Sequence, residues 1–357
     1  MGRGAQSASI VANVGRLGVF PPGTSLLALP NWRAPRVLLS KSGSPMRRWR
    51  DSAFFPAMLP IARLYRVAMR GKAALGWSGA RRAPGKRWTL NEFLEDCLPA
   101  VASIALQTGH PGRTQRFILE LRDQAGTIIG YLKCGTEALA RQLLAREYAI
   151  LRCLPTGLGP TPLKFGDFGD GTALLLSPIP GRPVAPNVPP APGVLEFAKS
   201  LNVSPPLALT VHPYVRNVRA RFGTRVDTIL EDLAGKTWGV CLQHGDFAPW
   251  NLRRNRRTNS ISAFDWEYGT SDGFPCTDLA YFILQVAALI YSWPPVKSAI
   301  YAATWLEAQP SLGLTGREAR ALVRLSMFEA YWRLEDVLFG ADHPLQPWRL
   351  RIWRELW

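Results

Sequence analysis

The 357-residue sequence predicts an α+β chain in which a small lobe of antiparallel strands is followed by a larger, mainly helical lobe. Three observations predict it. Three β-like runs, 102–109, 116–122 and 127–134, are separated by short turn-rich segments and followed at once by a helical stripe over 136–153 (Leu139, Leu143, Leu144, Tyr148, Leu151). Two further apolar runs, 162–168 and 172–179, end at Pro180-Gly181. Past the Pro-rich stretch 183–193 the pattern is mostly helical, broken at 240–275 by short apolar runs and loops.

Residues 1–45 are rich in Gly, Pro, Ser and Arg and hold no acid, which matches a transit peptide or a true start at Met46 but chiefly predicts a disordered start. Arg16 interrupts the apolar run Ile10–Phe20, so a signal peptide is disfavoured. From Pro60, Ile61, Leu64, Val67 and Ala68 recur at helical spacing while Arg63, Arg66 and Arg70 share another face, predicting a short basic amphipathic helix packed on the body with its basic face in solvent. Residues 79–86 read as a linker. The first two strands of the meander are joined by Thr108–Arg113, a loop with glycines at 109 and 112 whose backbone amides are free to approach an anion closely.

Charge is distributed unevenly. The chain carries +17, of which +15 falls in residues 1–88, where sixteen Lys/Arg face the single acid Asp51. A nearly neutral body argues against a nucleic-acid-binding protein, whose basic stripe belongs on the folded element that meets phosphate. Five scattered cysteines without a C-x-x-C pair and four histidines without i, i+4 spacing exclude an obvious zinc or dithiol site and suggest a reducing, cytoplasmic setting. The most apolar stretch, Leu279–Trp293, is interrupted by Gln285, stops at Pro294 and falls short of a membrane span of about 20 residues.

The chemistry concentrates in Val240–Gly269: His244-Gly245-Asp246, then Asn251, then Asp265 directly after the mostly apolar run Ile261–Phe264. Phosphoryl transfer from ATP needs these residue types together. A carboxylate accepts the proton of the attacking hydroxyl, and hard oxygen ligands hold Mg2+ on the triphosphate. No G-x-x-x-x-G-K-[ST] is present.

His-Gly-Asp-x-x-x-x-Asn followed by an apolar run and Asp-Trp-Glu resembles the aminoglycoside phosphotransferase family, relatives of the choline kinases and, more distantly, of protein kinases. The protein-kinase counterpart has Arg where Gly245 stands and D-F-G at 265–267. The resemblance implies a bilobal protein-kinase-like fold, with Asp246 as catalytic base and Asn251 and Asp265 as Mg2+ ligands. It implies that Lys133, in the third strand, meets the α/β-phosphates and is braced by Glu147 on the following helix. Gly109 and Gly112 then cover phosphate, the backbone from Ser177 to Ile179 meets adenine, and His244, Glu267 and Asp278 support the loop from behind.

These readings divide the chain into a basic extension (1–88), an N-lobe (89–180) and a C-lobe (181–357). They predict an ATP- and Mg2+-dependent O-phosphotransferase acting on a small-molecule hydroxyl, with no nucleic-acid partner. A catalytically inactive nucleotide-binding module is a second reading. A third is a kinase on the membrane surface, acting on a lipid-linked acceptor and touching anionic lipid through residues 47–88. The aromatic-rich end from residue 293 onward, with six of the thirteen tryptophans, is read chiefly as core. Its arginines disfavour a polycationic acceptor.

Overall fold

A computed structural model describes residues 3–54, 60–84, 87–98, 101–109, 112–338 and 343–356. His110 and Pro111 of the first-hairpin loop, Lys86 of the expected linker and Trp357 lie outside the described residues. The chain divides into two compact units, Met1–Arg152 with Pro160–Ile179, and Cys153–Gly159 with Pro180–Trp357.

The first unit is built on one eight-stranded antiparallel sheet. In chain order it holds α1 (Arg3–Leu17), β1 (Ser25–Leu29), β2 (Val37–Ser40), α2 (Pro45–Asp51), α3 (Pro60–Leu75), β3 (Ala80–Arg82) and α4 (Thr89–Leu94). Then come β4 (Ser103–Thr108), β5 (Phe117–Arg122), β6 (Ile128–Gly135), α5 (Ala138–Cys153), β7 (Pro162–Phe168) and β8 (Gly171–Leu176). The sheet order is β3-β1-β2-β4-β5-β6-β8-β7. The meander β4-β5-β6, the helix after it and the next two strands stand where the sequence pattern puts them.

The N-terminal quarter does not. The expected disorder of residues 1–45 is corrected by a helix that buries Ile10, Val14 and Leu17 and by two interior strands, and the expected linker 79–86 contains edge strand β3. Side chains along β1 and β2 alternate between two cores, as the strand period of two demands. Leu26, Ala28 and Leu38 join Ile10, Val14 and Leu17 of α1 in the large one, while Leu27, Leu29, Val37 and Leu39 meet Ala73 of α3 in a smaller one. A strand buried on both faces reads in sequence as a short apolar run, SLLAL or VLLS, and the Pro- and Arg-rich residues between such runs dominate the average composition.

Many arginines of this quarter are likewise structural. Arg48 donates to the carbonyls of Gly43 and Ala74 (both 2.6 Å) and Ala73 (3.1 Å), tying α2 to the end of α3, and Arg47 donates to the carbonyl of Ala102. Asp51 is buried beside Arg122 of β5 (3.8 Å). Residues 3–54 and 60–84 are therefore part of the first unit, not an extension to it.

The amphipathic helix forms as α3, but the face expected to pack is the exposed one. Ile61, Leu64 and Val67 face solvent, whereas Arg70 stacks on Trp49 (4.4 Å) and donates to its carbonyl (3.0 Å).

The second unit is mainly helical. It runs β9 (Arg182–Pro183), α6 (Pro192–Ser200), β10 (Leu207–Ala208), α7 (Pro213–Phe222), α8 (Asp227–Glu231), β11 (Thr237–Trp238), β12 (Cys241–Gln243), β13 (Leu252–Arg254), β14 (Ile261–Ala263) and β15 (Thr270–Gly273). Then follow α9 (Thr277–Leu289), α10 (Pro295–Glu307), α11 (Gly316–Leu338) and α12 (Gln346–Leu350). Helix α9 is buried along nearly its whole length, which explains the apolar stretch seen in sequence. Among the described residues no helix is long and apolar enough to cross a membrane. Short pairings β12–β15 and β9–β13–β14 fix the ends of the motif-bearing loop.

Candidate active site

In the first unit the predicted cation and its brace meet. Lys133 Nζ lies 2.6 and 2.8 Å from the two carboxylate oxygens of Glu147, with Lys133 5% and Glu147 0% exposed. The strand period turns Lys133 inward on β6, and Glu147 falls on the buried stripe of α5 with Leu143, Leu144 and Leu151. Two charges at this depth persist only as a pair. Replacing Glu147 by Ala removes the carboxylate that meets the buried ammonium at both oxygens and is expected to destabilise the protein by about 3–5 kcal/mol. Replacing both, Lys133→Met with Glu147→Leu, is expected to recover most of that loss in denaturant titrations, because the two buried charges leave together.

The other first-unit candidates fall at loop ends. Gly109 donates its N–H to the Arg116 carbonyl (2.8 Å), and an added Cβ there would sit 2.5 Å from the same oxygen, so the hairpin neck requires glycine. Gly112 has φ +139° in open space. Strand β8 stops at Leu176, and Ser177 forms a reciprocal pair with Thr161, its N–H donating to the Thr161 carbonyl (2.9 Å) and its Oγ accepting from the Thr161 N–H (2.8 Å). The Ser177 amide is thus committed within the protein.

In the second unit the turn after β12 collects His244, Asp246 and Asn251. Asn251 Nδ2 donates to the Asp246 carbonyl (2.9 Å) and to its Oδ2 (3.0 Å), and the Tyr281 hydroxyl donates to Oδ1 (2.8 Å). Both carboxylate oxygens are therefore oriented. Burial and the adjacent Asp246 charge raise the Tyr281 pKa, so the phenol stays a donor. His244 Nδ1 accepts from the Asp246 N–H (3.2 Å), which puts the ring proton on Nε2, facing the Phe264 carbonyl at 2.9 Å. Phe264 also donates its N–H to the Asn251 carbonyl (3.0 Å), so the residue before Asp265 is tied to both ends of the loop. Asp265 itself adopts φ +71°, a left-handed conformation uncommon for a residue with a side chain. Gly245 has φ +79°, and a Cβ on it would meet the Tyr268 carbonyl at 2.6 Å, which accounts for the glycine of His-Gly-Asp.

An antiparallel-sheet unit followed by a mainly helical one agrees with the element order that the resemblance implies. A strand lysine paired to the glutamate of the next helix, in a unit that precedes a helical one carrying the His-Gly-Asp loop, is what the motif order predicts. No family model matches the chain, and no curated protein matches it by sequence. Among solved structures, an ethanolamine kinase from Plasmodium vivax aligns at 13% identity over 74% of this chain and 85% of its own, with a TM-score of 0.45. An aminoglycoside phosphotransferase from Streptomyces rimosus aligns at 17% identity over 61% and 92%, with a TM-score of 0.32. A type VIII aminoglycoside-3'-phosphotransferase aligns at 18% identity over 66% and 97%, with a TM-score of 0.36. These are small-molecule kinases by name, at identities too low to speak to substrate.

Within this kinase-like loop Asp278, at the start of α9, accepts from the backbone N–H groups of His244 (2.6 Å) and Gly245 (3.0 Å). Burial raises its carboxyl from 3.8 to about 7 despite those two bonds. The native state then holds a proton that the unfolded chain has released. The stabilising contribution is full below about pH 4 and is lost as pH rises through about 7. The melting temperature of the native protein should fall across that interval relative to Asp278→Asn, and parallel curves would remove Asp278 from the account. Glu267 is buried.

Three partners escaped sequence reasoning. Tyr281 lies one helical turn after Asp278 on α9, a spacing that offered a signal. Arg333 of α11 donates to the Gly245 carbonyl and lies over the rings of Tyr268 (5.1 Å) and Tyr281 (5.6 Å). Burial alone would lower its pKa, but Tyr281, Asp246 and Glu329 hold the guanidinium above its ordinary value. Glu329, one turn earlier, accepts from Gln243 Nε2 (2.8 Å) and so anchors β12. Nothing in the sequence links 329 or 333 to residue 245.

The C-terminal aromatics are not simply core. Tyr331, Trp332 and Trp353, with Arg225, Arg324 and Arg354, line a cavity of about 510 Å3. Arg324 and Arg333 are nine residues apart and point to opposite sides of α11, so this cavity lies away from the face that holds Gly245.

Proposed function

We propose that the protein is a phosphotransferase that moves the γ-phosphoryl group of ATP to the hydroxyl of a small molecule, in a Mg2+-dependent reaction. One observation carries the reading above the others: Asp246 is a half-buried carboxylate fixed at both oxygens by Tyr281 and Asn251, in a loop whose backbone is itself held by Asp278 and Arg333. A base so restrained needs no reorientation when the acceptor binds. The acceptor O–H proton passes to Asp246 as the acceptor oxygen bonds to the γ-phosphorus, and the bond from that phosphorus to the bridging oxygen breaks to release ADP. Lys133, neutralised in the free protein by Glu147, is assigned to the α/β-phosphates.

The donor set suits Mg2+. The ligands assigned to it are Asn251 Oδ1, whose amide nitrogen is committed to Asp246, and the Asp265 carboxylate, both hard oxygen donors. When bound, the metal supplies charge neutralisation on the phosphates. The acceptor is proposed as a sugar, amino alcohol or related metabolite.

The test is transfer of label from γ-labelled ATP to a panel of such alcohols with Mg2+ present. Labelled phosphate esters are the expected product, and nucleotide binding without transfer to any of them would favour an inactive module instead.

A further inference from the structure

Helix α3 is amphipathic the wrong way round for a helix that serves only to cover its own sheet. Its contact with the small core is Ala73. At about 100° per residue, Val67, Leu64, Leu75, Ala68 and Ile61 form one continuous stripe centred on the side roughly opposite Ala73, with Tyr65 just past Lys72 at its edge. That stripe faces out: Ile61 is 81% and Leu64 72% exposed, with Tyr65, Val67 and Leu75 also exposed. Trp77, just beyond the helix, is 73% exposed. The basic residues Arg63, Arg66 and Arg70 run between this stripe and the side that meets the sheet. Exposed apolar residues scattered singly need no explanation, but a continuous stripe on one helix marks a contact surface.

We infer that α3 with Trp77 is a docking face for an anionic lipid surface. Charge decides between occupants. Residues 1–88 hold sixteen Lys/Arg, and their one acid, Asp51, is buried, so two copies meeting through α3 would bring like-charged segments together. An anionic bilayer satisfies both features: its acyl boundary takes the apolar stripe and tryptophan, and its headgroups meet the basic side of the helix, on which Arg63 is exposed. A polyanion without an apolar phase satisfies only the second. The inference does not depend on the phosphotransfer reading, since neither Asp246 nor Lys133 enters it.

The full-length chain is co-sedimented with vesicles of phosphatidylcholine alone and of phosphatidylcholine mixed with phosphatidylserine, at low and raised salt. Binding to the anionic vesicles is expected to be about tenfold or more tighter than to the neutral ones, and to weaken with salt. The double variant Ile61→Ser, Leu64→Ser changes only outward side chains; it should lose most of the binding while keeping the native melting temperature. Trp77→Ser should lose part. The inference is overturned if neither vesicle binds, if both bind equally, or if the variants bind like the native protein, which would mean charge alone acts. A concentration-dependent dimer in light scattering that the double variant dissolves would also overturn it, in favour of a second copy.

Discussion

Removing residues 1–45 is expected to leave an insoluble or unfolded product. The deletion takes out α1, β1 and β2, and with them the buried side chains of Leu17, Phe20, Leu26, Leu27, Leu38 and Leu39. Large apolar side chains contribute about 1.5–3 kcal/mol each when fully buried, against a net stability of about 5–15 kcal/mol for a whole domain. That sum overstates the loss, because the deleted segment no longer has to be ordered. The decisive part is what the deletion uncovers. Leu106, Leu90, Phe93 and Phe168 lose their cover in the shared core, and β4, which pairs with β2 through Leu38 and Leu106, becomes an open edge. Soluble yield, far-UV circular dichroism and thermal melting of the shortened and full-length chains decide the matter. A shortened chain that melts with the native one would show that the N-terminal hairpin is dispensable.

The second large effect concerns chemistry. Asp246→Asn should lower kcat by about 10²–10⁴-fold while leaving nucleotide binding and the melting temperature close to native. The amide keeps the shape of the carboxylate but cannot take the acceptor proton, and it presents N–H groups where Tyr281 and Asn251 already donate. Tyr281→Phe removes one of those donors and leaves the base in place. Its loss should be smaller and should fall on kcat and not on KM, which a purely structural role would not do. Turnover by Asp246→Asn within a few-fold of native would sink the assignment of the base.

Local patterns were legible wherever the partner lay close in the chain. The β4-β5-β6 meander and α5 are adjacent in sequence, so turn residues and helical spacing suffice to locate the strand and helix on which the resemblance puts Lys133 and Glu147. The His244–Asp265 segment is likewise one continuous loop and strand. Strands β1 and β2 were missed because β2 pairs across more than sixty residues with β4, and no local signal reports a partner at that distance. Tyr281, Glu329 and Arg333 were missed for the same reason, since their polar atoms are matched to the loop only once α9 and α11 pack beside it. The inverted face of α3 lay beyond reach in another way: a helical wheel gives two faces and does not say which one meets the body.

Strand β3 closes one end of the sheet with only Ala80, Arg81 and Arg82, all exposed. Arg81 is held over the ring of Trp32 at 5.0 Å, so it is a fixed charge. Sheet edges are where chains join in unintended strand-to-strand contact, and a short strand carrying two arginines repels a second copy that bears the same residues. Part of the chain's excess of positive charge thus works as a guard against self-association during folding, while the eight-stranded sheet behind it remains free to be apolar on both faces.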